Sequence, residues 1–353
     1  MAETPAPVAS SPGLVQAVRG LGLDLLGLPY RAAVAVRGQL YDAGWRETVR
    51  LPLPVISVGN LAAGGTGKTP LVIMLADELL RRGRRPGVVA RGYRREPGET
   101  LNDEGREIAA ALGDLVPQVQ DADRVAAAHR LLAAHPRTDV LLLDDGFQHR
   151  RVRRDLDIVL LDGREPLARA HLLPRGRLRE PPAALSRADL VVITRAEGLM
   201  PAARLERALE VARFTAAPLA FTATRVLRIE GLADTDPAAL YGLPVALLSG
   251  IGAPGAFRAT VEDLGAEVRW HVALGDHRPA SAERLAALRQ RARATGARAL
   301  LVTRKDAMKL APAGRAAGAV PVGVVVTAMD IVEGLDAWTA AVGRALGAVG
   351  CAG

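Results

Sequence analysis

The stretch VISVGNLAAGGTGKTP, residues 55–70, decides the fold. Val55–Val58 read as a short apolar strand, Gly64, Gly65, Thr66 and Gly67 as a turn, and the residues from Thr69 onward as a helix. That order of elements cradles phosphate. Backbone N–H groups of the turn point at phosphate oxygens, the lysine reaches the β- and γ-phosphates, and the Ser/Thr hydroxyl binds Mg²⁺. Lys68 and Thr69 occupy those two places, and the helix aims its positive end at the same phosphates. Pro70 is tolerated because a first-turn residue needs no intrahelical N–H partner. The loop departs from the full G-x-x-x-x-G-K-[ST] pattern at Ala62, where the first glycine belongs. Ala63 stands where partitioning-type ATPases carry a signature lysine, which counts against that class.

Outward from the loop, short apolar runs alternate with helical patterns. Strands are expected at Gly87–Ala90, Val140–Leu143, Ile158–Leu161 and Leu190–Thr194, with helices at Thr69–Arg82, Glu104–Ala111, Ala122–Ala134 and Ala202–Phe214. Such alternation indicates a mostly parallel sheet with helices on both faces. Thr222–Ile229 alternates in polarity and reads as a connecting strand; a second set follows at Val245–Ser249, Ala266–His271, Ala299–Thr303 and Val322–Val326, with a helix at Ala280–Thr295. The expected architecture is therefore α/β: a P-loop NTPase-like lobe over 46–224, a second, smaller α/β lobe over 225–328, and a C-terminal helix and tail over 329–353, helical from Met329 to about Leu346. Residues 1–12, rich in Ala, Pro and Ser, are expected to be a disordered tail.

Residues 13–45 form two helical runs. Leu14, Val18, Leu21, Leu25 and Leu28 make one apolar stripe at helical spacing. The uncharged pieces are too short for a span of about 20 apolar residues. The stripe suits either packing on the domain or an amphipathic helix in a membrane interface.

The single cysteine, Cys351, cannot form an internal disulfide, and the absence of Cys/His clusters argues for a zinc-free, cytosolic chain. A formal charge of +8 points to polyanionic partners: nucleic acid, anionic membrane or phosphorylated substrates. Only three of the 46 cationic residues are lysines, namely Lys68, Lys305 and Lys309. In so arginine-rich a chain, surviving lysines hint at places that need a compact ammonium rather than a planar fork.

Val140–Leu143 runs into Asp144-Asp145-Gly146-Phe147-Gln148-His149. Acidic residues that end an apolar strand sit at the carboxyl edge of the sheet, where α/β proteins place ligands. One carboxylate there commonly holds Mg²⁺, directly or through water. Strand alternation assigns Asp144 and Asp145 to opposite faces and hence to different tasks.

Together, Gly59-Asn60-Leu61, the Gly-Gly-Thr-Gly-Lys-Thr-Pro70 loop, Arg91-Gly92-Tyr93, Asp103-Glu104 and Asp144–His149 resemble the tetraacyldisaccharide 4′-kinase (LpxK) family. Further matches are Leu178-Arg179-Glu180-Pro181, Asp276-His277 and Thr303-Arg304-Lys305-Asp306, so the resemblance covers nearly the whole chain. It implies an ATP- and Mg²⁺-dependent kinase that phosphorylates the 4′-position of a lipid A disaccharide precursor. It also implies a peripheral protein on the cytoplasmic face of the bacterial inner membrane, its N-terminal helices on the anionic surface, with no obligatory protein partner. Carried over by motif, Lys68 and Thr69 serve phosphate and Mg²⁺, and Asp144, Asp145 and Glu180 belong to the metal and nucleotide site. Asp103 acts as base on the sugar hydroxyl, with His277 completing an Asp–His pair. Arg94 and Arg304 depart from the family pattern, and the latter puts roles for Lys305 and Asp306 in doubt. The adjacent Lys305-Asp306 lacks the spacer of the guanine-reading motif, which favours ATP.

The chemistry agrees with the resemblance. Phosphoryl transfer needs positioning, charge neutralisation and a proton acceptor, and an imidazole bonded to a carboxylate can orient it or relay the proton. Arg177 and Arg179, just before Glu180, are candidates to meet the substrate's phosphate or anionic headgroups. Two other classes compete. A regulatory P-loop NTPase or metallochaperone lacks its signature lysine and metal-ligand clusters here, and a nucleic-acid binder would need aromatic platforms that four Phe and four Tyr, scattered singly, do not supply.

Overall fold

Strand β1 (Val55–Asn60), buried at every position, lies inside a single 11-stranded sheet. The computed structural model describes residues 23, 26–93, 98–252, 254–274, 281–310 and 320–347. The remaining strands are β2 (Pro86–Ala90), β3 (Gln118–Gln120), β4 (Val140–Asp144), β5 (Leu156–Asp162), β6 (Leu190–Thr194), β7 (Leu219–Glu230), β8 (Pro244–Ser249), β9 (Glu267–Ala273), β10 (Ala299–Thr303) and β11 (Val322–Glu333). Their order across the sheet is β3-β2-β4-β1-β5-β6-β7-β11-β10-β8-β9. Every neighbouring pair is parallel except β7 with β11.

Side-chain alternation along the strands builds two cores. Leu142 of β4 and Ile158 and Leu160 of β5 share one face with Leu71, Leu75 and Leu79 of helix α2 (Lys68–Arg81). The intervening Leu141 and Leu143 meet Val125, Ala128 and Leu131 of α4 (Arg124–Ala134) on the other. The far half of the sheet repeats the plan. Leu248 and Val302 pack with Leu285 and Leu288 of α7 (Ala282–Ala294), and Leu247 and Leu301 with Phe257 and Val261 of α6 (Pro254–Asp263). The described helices also include α1 (Leu28–Asp42), α3 (Asp103–Leu112), α5 (Pro201–Ala212), the short α8 (Arg304–Lys309) and α9 (Leu335–Gly347).

The chain end corrects one expectation. Residues from Met329 to Glu333 are strand, because β11 runs antiparallel to β7 from Val324 to Glu333 and Arg225 Nε donates to Asp330 Oδ2 at 2.6 Å. The helix begins only at Leu335, after Gly334, whose φ of +80° ends the strand. That helix returns to the P-loop half of the sheet: Trp338 is fully buried in its core and donates its indole N–H to Glu78 of α2 at 2.7 Å. The position expected to separate two lobes, near residue 225, falls within β7, so both halves share the sheet. The expected N-terminal stripe at 14, 18, 21 and 25 lies outside the described residues.

Candidate active site

The carboxyl ends of β1 and β4 carry the site, and two glycines make room for it. Gly59 in β1 has no side chain because the backbone of Phe147 passes there; an added Cβ would stand 2.5 Å from Phe147 Cβ and 2.6 Å from its nitrogen. Gly67, the residue before α2, has φ +91°, a left-handed conformation that lets the loop turn directly into the helix. Between them the loop is held from several sides. Asn60 Nδ2 donates to Thr66 Oγ1 at 2.7 Å, and Thr194 Oγ1 at the end of β6 donates to the Thr66 carbonyl at 2.9 Å. Arg195 reaches the Gly65 carbonyl at 2.7 Å, and the backbones of Ala63 and Arg177 pair through Ala63 N–H at 2.7 Å.

Lys68 and Thr69 are buried in the first turn of α2. The Lys68 ammonium lies 3.6 Å from Asp145 Oδ1. Arg179 completes this cluster, with Nη1 at 2.9 and 2.8 Å from the two Asp145 oxygens. Burial pushes the Asp145 carboxyl up, but Lys68 and Arg179 outweigh that and hold it below the usual carboxylate range. Asp145 adopts φ +52°, a left-handed conformation that Asp tolerates better than most side chains.

Asp144, the last residue of β4, is its opposite. It is buried, its Oδ1 has no hydrogen-bond partner, and burial together with the nearby Glu104 carboxylate pushes it up to about 7 against the pull of Lys68. The two carboxylates stand in different surroundings, Asp144 at the buried end of β4 and Asp145 just past it in the left-handed turn, paired with Lys68 and Arg179. A buried carboxylate oxygen without a partner is costly. It suits a divalent cation, which takes oxygen ligands and one or two carboxylates alongside phosphates. The donor set at Asp144 therefore fits Mg²⁺.

Glu180 lies on the segment joined to the loop by the Ala62–Leu178 bridge, and its Oε2 accepts from Arg187 at 2.6 Å. Arg187 in turn stacks on the Phe147 ring at 4.4 Å. Asp103 opens α3; its Oδ1 accepts from Arg106 at 2.6 Å, and Lys309 of α8 stands 2.7 Å from its Oδ2. His277 and Asp276 lie outside the described residues. Thus Lys68, Asp144 and Asp145 come together at the loop, while Asp103 meets the far half of the sheet.

Residues 20–341 match the model of the family described as tetraacyldisaccharide-1-P 4′-kinase. The chain belongs to that family. It is 39% identical to the tetraacyldisaccharide 4′-kinase of Anaeromyxobacter dehalogenans (strain 2CP-C), over 94% of this chain and 92% of that one. It is 41% identical to that of Geobacter metallireducens, over 82% of this chain and 88% of that one. A crystal structure of LpxK from Aquifex aeolicus in complex with ATP matches with a TM-score of 0.70 at 28% identity, covering 93% of this chain and 99% of that chain.

Within this family member, several residues make contacts at the site that the sequence reading did not assign. Glu104 acts on Asp144 electrostatically, and so does buried Arg124, which donates to the Asp121 and Ala122 carbonyls. Arg177 and Arg179, candidates to meet the substrate's phosphate or anionic headgroups, lie at the loop, where Arg177 binds the Ala63 carbonyl at 2.9 Å and the Glu165 carboxylate and Arg179 grips Asp145. Lys309 was recoverable from one signal, its survival as lysine in a chain that otherwise uses arginine.

Proposed function

We propose that the chain transfers the γ-phosphoryl group of ATP to the 4′-hydroxyl of a tetraacylated glucosamine disaccharide 1-phosphate, forming a lipid A precursor. The observation that carries this reading is the unpartnered Asp144 oxygen beside a lysine-bearing P-loop, within a chain of this kinase family. Backbone N–H groups of Gly64–Thr69 receive the phosphate oxygens, and the Lys68 ammonium leaves Asp145 to neutralise charge that develops in transfer. Asp144, Asp145 and Thr69 would hold Mg²⁺, and Glu180, expected to join them, has its carboxylate on Arg187. Held there, Mg²⁺ would supply positive charge against that of the phosphates. Arg179 keeps Asp145 oriented throughout. Asp103 accepts the proton of the attacking hydroxyl as it leaves, with His277 as its partner.

The acceptor is a lipid, which requires a surface approach. Helix α1 buries none of its residues, and Leu26, Leu28, Val36 and Trp45 are exposed in and around it. Polar contacts attach it to the body: Tyr30 Oη donates to the Arg179 carbonyl at 2.7 Å, and Arg37 to the Gln148 carbonyl at 2.8 Å. Among the described residues no helix is long and apolar enough to cross a membrane. The exposed apolar groups support an interfacial helix on the anionic cytoplasmic face of the inner membrane.

The reading is tested by incubating the protein with γ-labelled ATP, Mg²⁺ and the tetraacylated disaccharide 1-phosphate in mixed micelles. Label should pass to the lipid and fail to pass with Lys68→Ala. Release of label as free phosphate at the same rate with and without lipid would instead point to a regulatory NTPase.

A further inference from the structure

Helix α8 brings a cation across the molecule to Asp103. Asp306 anchors the helix: its Oδ1 accepts from the Gly250 N–H at 3.0 Å and its Oδ2 from Thr303 Oγ1 at 2.6 Å. Arg304 then crosses to the Ala110 carbonyl of α3 at 2.9 Å. One turn later the Lys309 ammonium meets Asp103 Oδ2 at 2.7 Å, with both side chains about one-seventh exposed. The approach is an ion pair without the angular alignment of a hydrogen bond.

We infer that Lys309 is a positioning residue for phosphoryl transfer, fixing the Asp103 carboxylate from the far half of the sheet. The inference rests on the reading of Asp103 as the group that accepts the hydroxyl proton. A carboxylate offers about four lone-pair sites. Arg106 donates to Oδ1 and Lys309 approaches Oδ2, so the two cations hold the carboxylate through different oxygens. An arginine at 309 would instead present a planar fork able to take both oxygens. This accounts for a lysine here in a chain whose cations are otherwise nearly all arginine.

The charge surroundings make the ammonium matter. On the side of α3, Asp103 has Glu104 and Glu107 as neighbours, with Arg106 shared with Glu99 at 3.3 Å. At the strand end stand Asp144 and Asp145 with Lys68 and Arg124. From α8 come Arg304, Lys305 and Lys309, with Asp306 turned to its own anchor. Burial pushes the Glu107 carboxyl up, and Lys305 opposes that shift. Asp276 and His277 lie in the segment outside the described residues. Removing Lys309 therefore leaves Asp103 among several carboxylates with one cation fewer.

The test is the pH dependence of kcat on ATP and lipid acceptor for the full chain, its Lys309→Met and Lys309→Arg variants, Asp103→Asn and the double variant. Lys309→Met should lower kcat about 10- to 100-fold, keep KM for ATP within about twofold, and move the acidic limb of the kcat profile up by about one pH unit. Lys309→Arg should return the limb to its place while kcat stays reduced. In the Asp103→Asn background, Lys309→Met should cost nothing more. An unmoved limb with undiminished kcat in Lys309→Met, while Asp103→Asn is inactive, overturns the inference and leaves the base assignment standing. Full activity in Asp103→Asn overturns the base assignment, and the inference with it. Should Lys309→Met fail to fold by thermal denaturation, Lys309→Arg decides: wild-type kcat there overturns the inference.

Discussion

The ammonium of Lys68 rests 3.6 Å from the Asp145 carboxylate, so the cation placed for phosphate is already held at the end of the neighbouring strand. Arg179 holds the same carboxylate from the other side, so losing Lys68 does not strand Asp145 without a cation. Lys68→Ala should therefore reduce transfer about 10²-fold or more while leaving the thermal midpoint nearly unchanged. Calorimetry beside the kinetic assay checks both halves; a large drop in midpoint would make Lys68 a structural residue.

Thr194 bonds the loop to the sheet through two carbonyls, those of Thr66 at 2.9 Å and Leu161 at 3.2 Å, and is fully buried. Thr194→Val keeps the shape and removes the donor. It should cost about 1–3 kcal/mol in urea denaturation and raise KM for ATP. Unchanged nucleotide affinity would mean that the loop holds its shape without this tie.

Gly59→Ala places a methyl group against the Phe147 backbone. Overpacking of this kind costs about 1–3 kcal/mol or more, and here it also displaces the Asp144-Asp145 turn. Both stability and Mg²⁺-dependent turnover should fall. Stability lost with turnover per folded molecule intact would separate the strand crossing from the site.

Three of these elements were legible in the sequence, for physical reasons. Leu190–Thr194 and Ala299–Thr303 are strands with the expected bounds, because a continuous apolar run flanked by turn residues has few other uses. The P-loop was legible because its work is done by backbone, and only glycine permits that backbone. β3 was not, since Gln118–Gln120 is a short edge strand without an apolar run. Neither was the strand character of Met329–Glu333, which depends on pairing with residues far away in the chain. The contact of Asp103 with Lys309 was hidden for the same reason: spacing along the sequence carries no record of it.

His149 gives the pH prediction. Burial, then Arg124 and Arg154, lower its pKa to about 4 from an ordinary 6.5, so the folded chain resists protonating it. Between those values the unfolded state binds more protons, and stability rises with pH across that window and is lost on acidification through it. The thermal midpoint of the wild type should therefore fall between pH 6.5 and pH 4 more steeply than that of His149→Gln. Parallel curves would show that His149 titrates alike in both states.

Exposed apolar groups on and beside α1 carry the membrane reading. Replacing Leu26, Leu28 and Trp45 by serine should reduce sedimentation with anionic vesicles several-fold and leave ATP binding unaltered, because none of these side chains is buried. Undiminished sedimentation would move the membrane contact elsewhere.

The most direct measurement of the central claim is the position of the new phosphate. Phosphorus–proton correlation NMR of the lipid after turnover with ATP and Mg²⁺ should show a second phosphomonoester coupled to the proton on C4′. A phosphate on any other hydroxyl, or ADP formed while the disaccharide stays unmodified, would contradict the account.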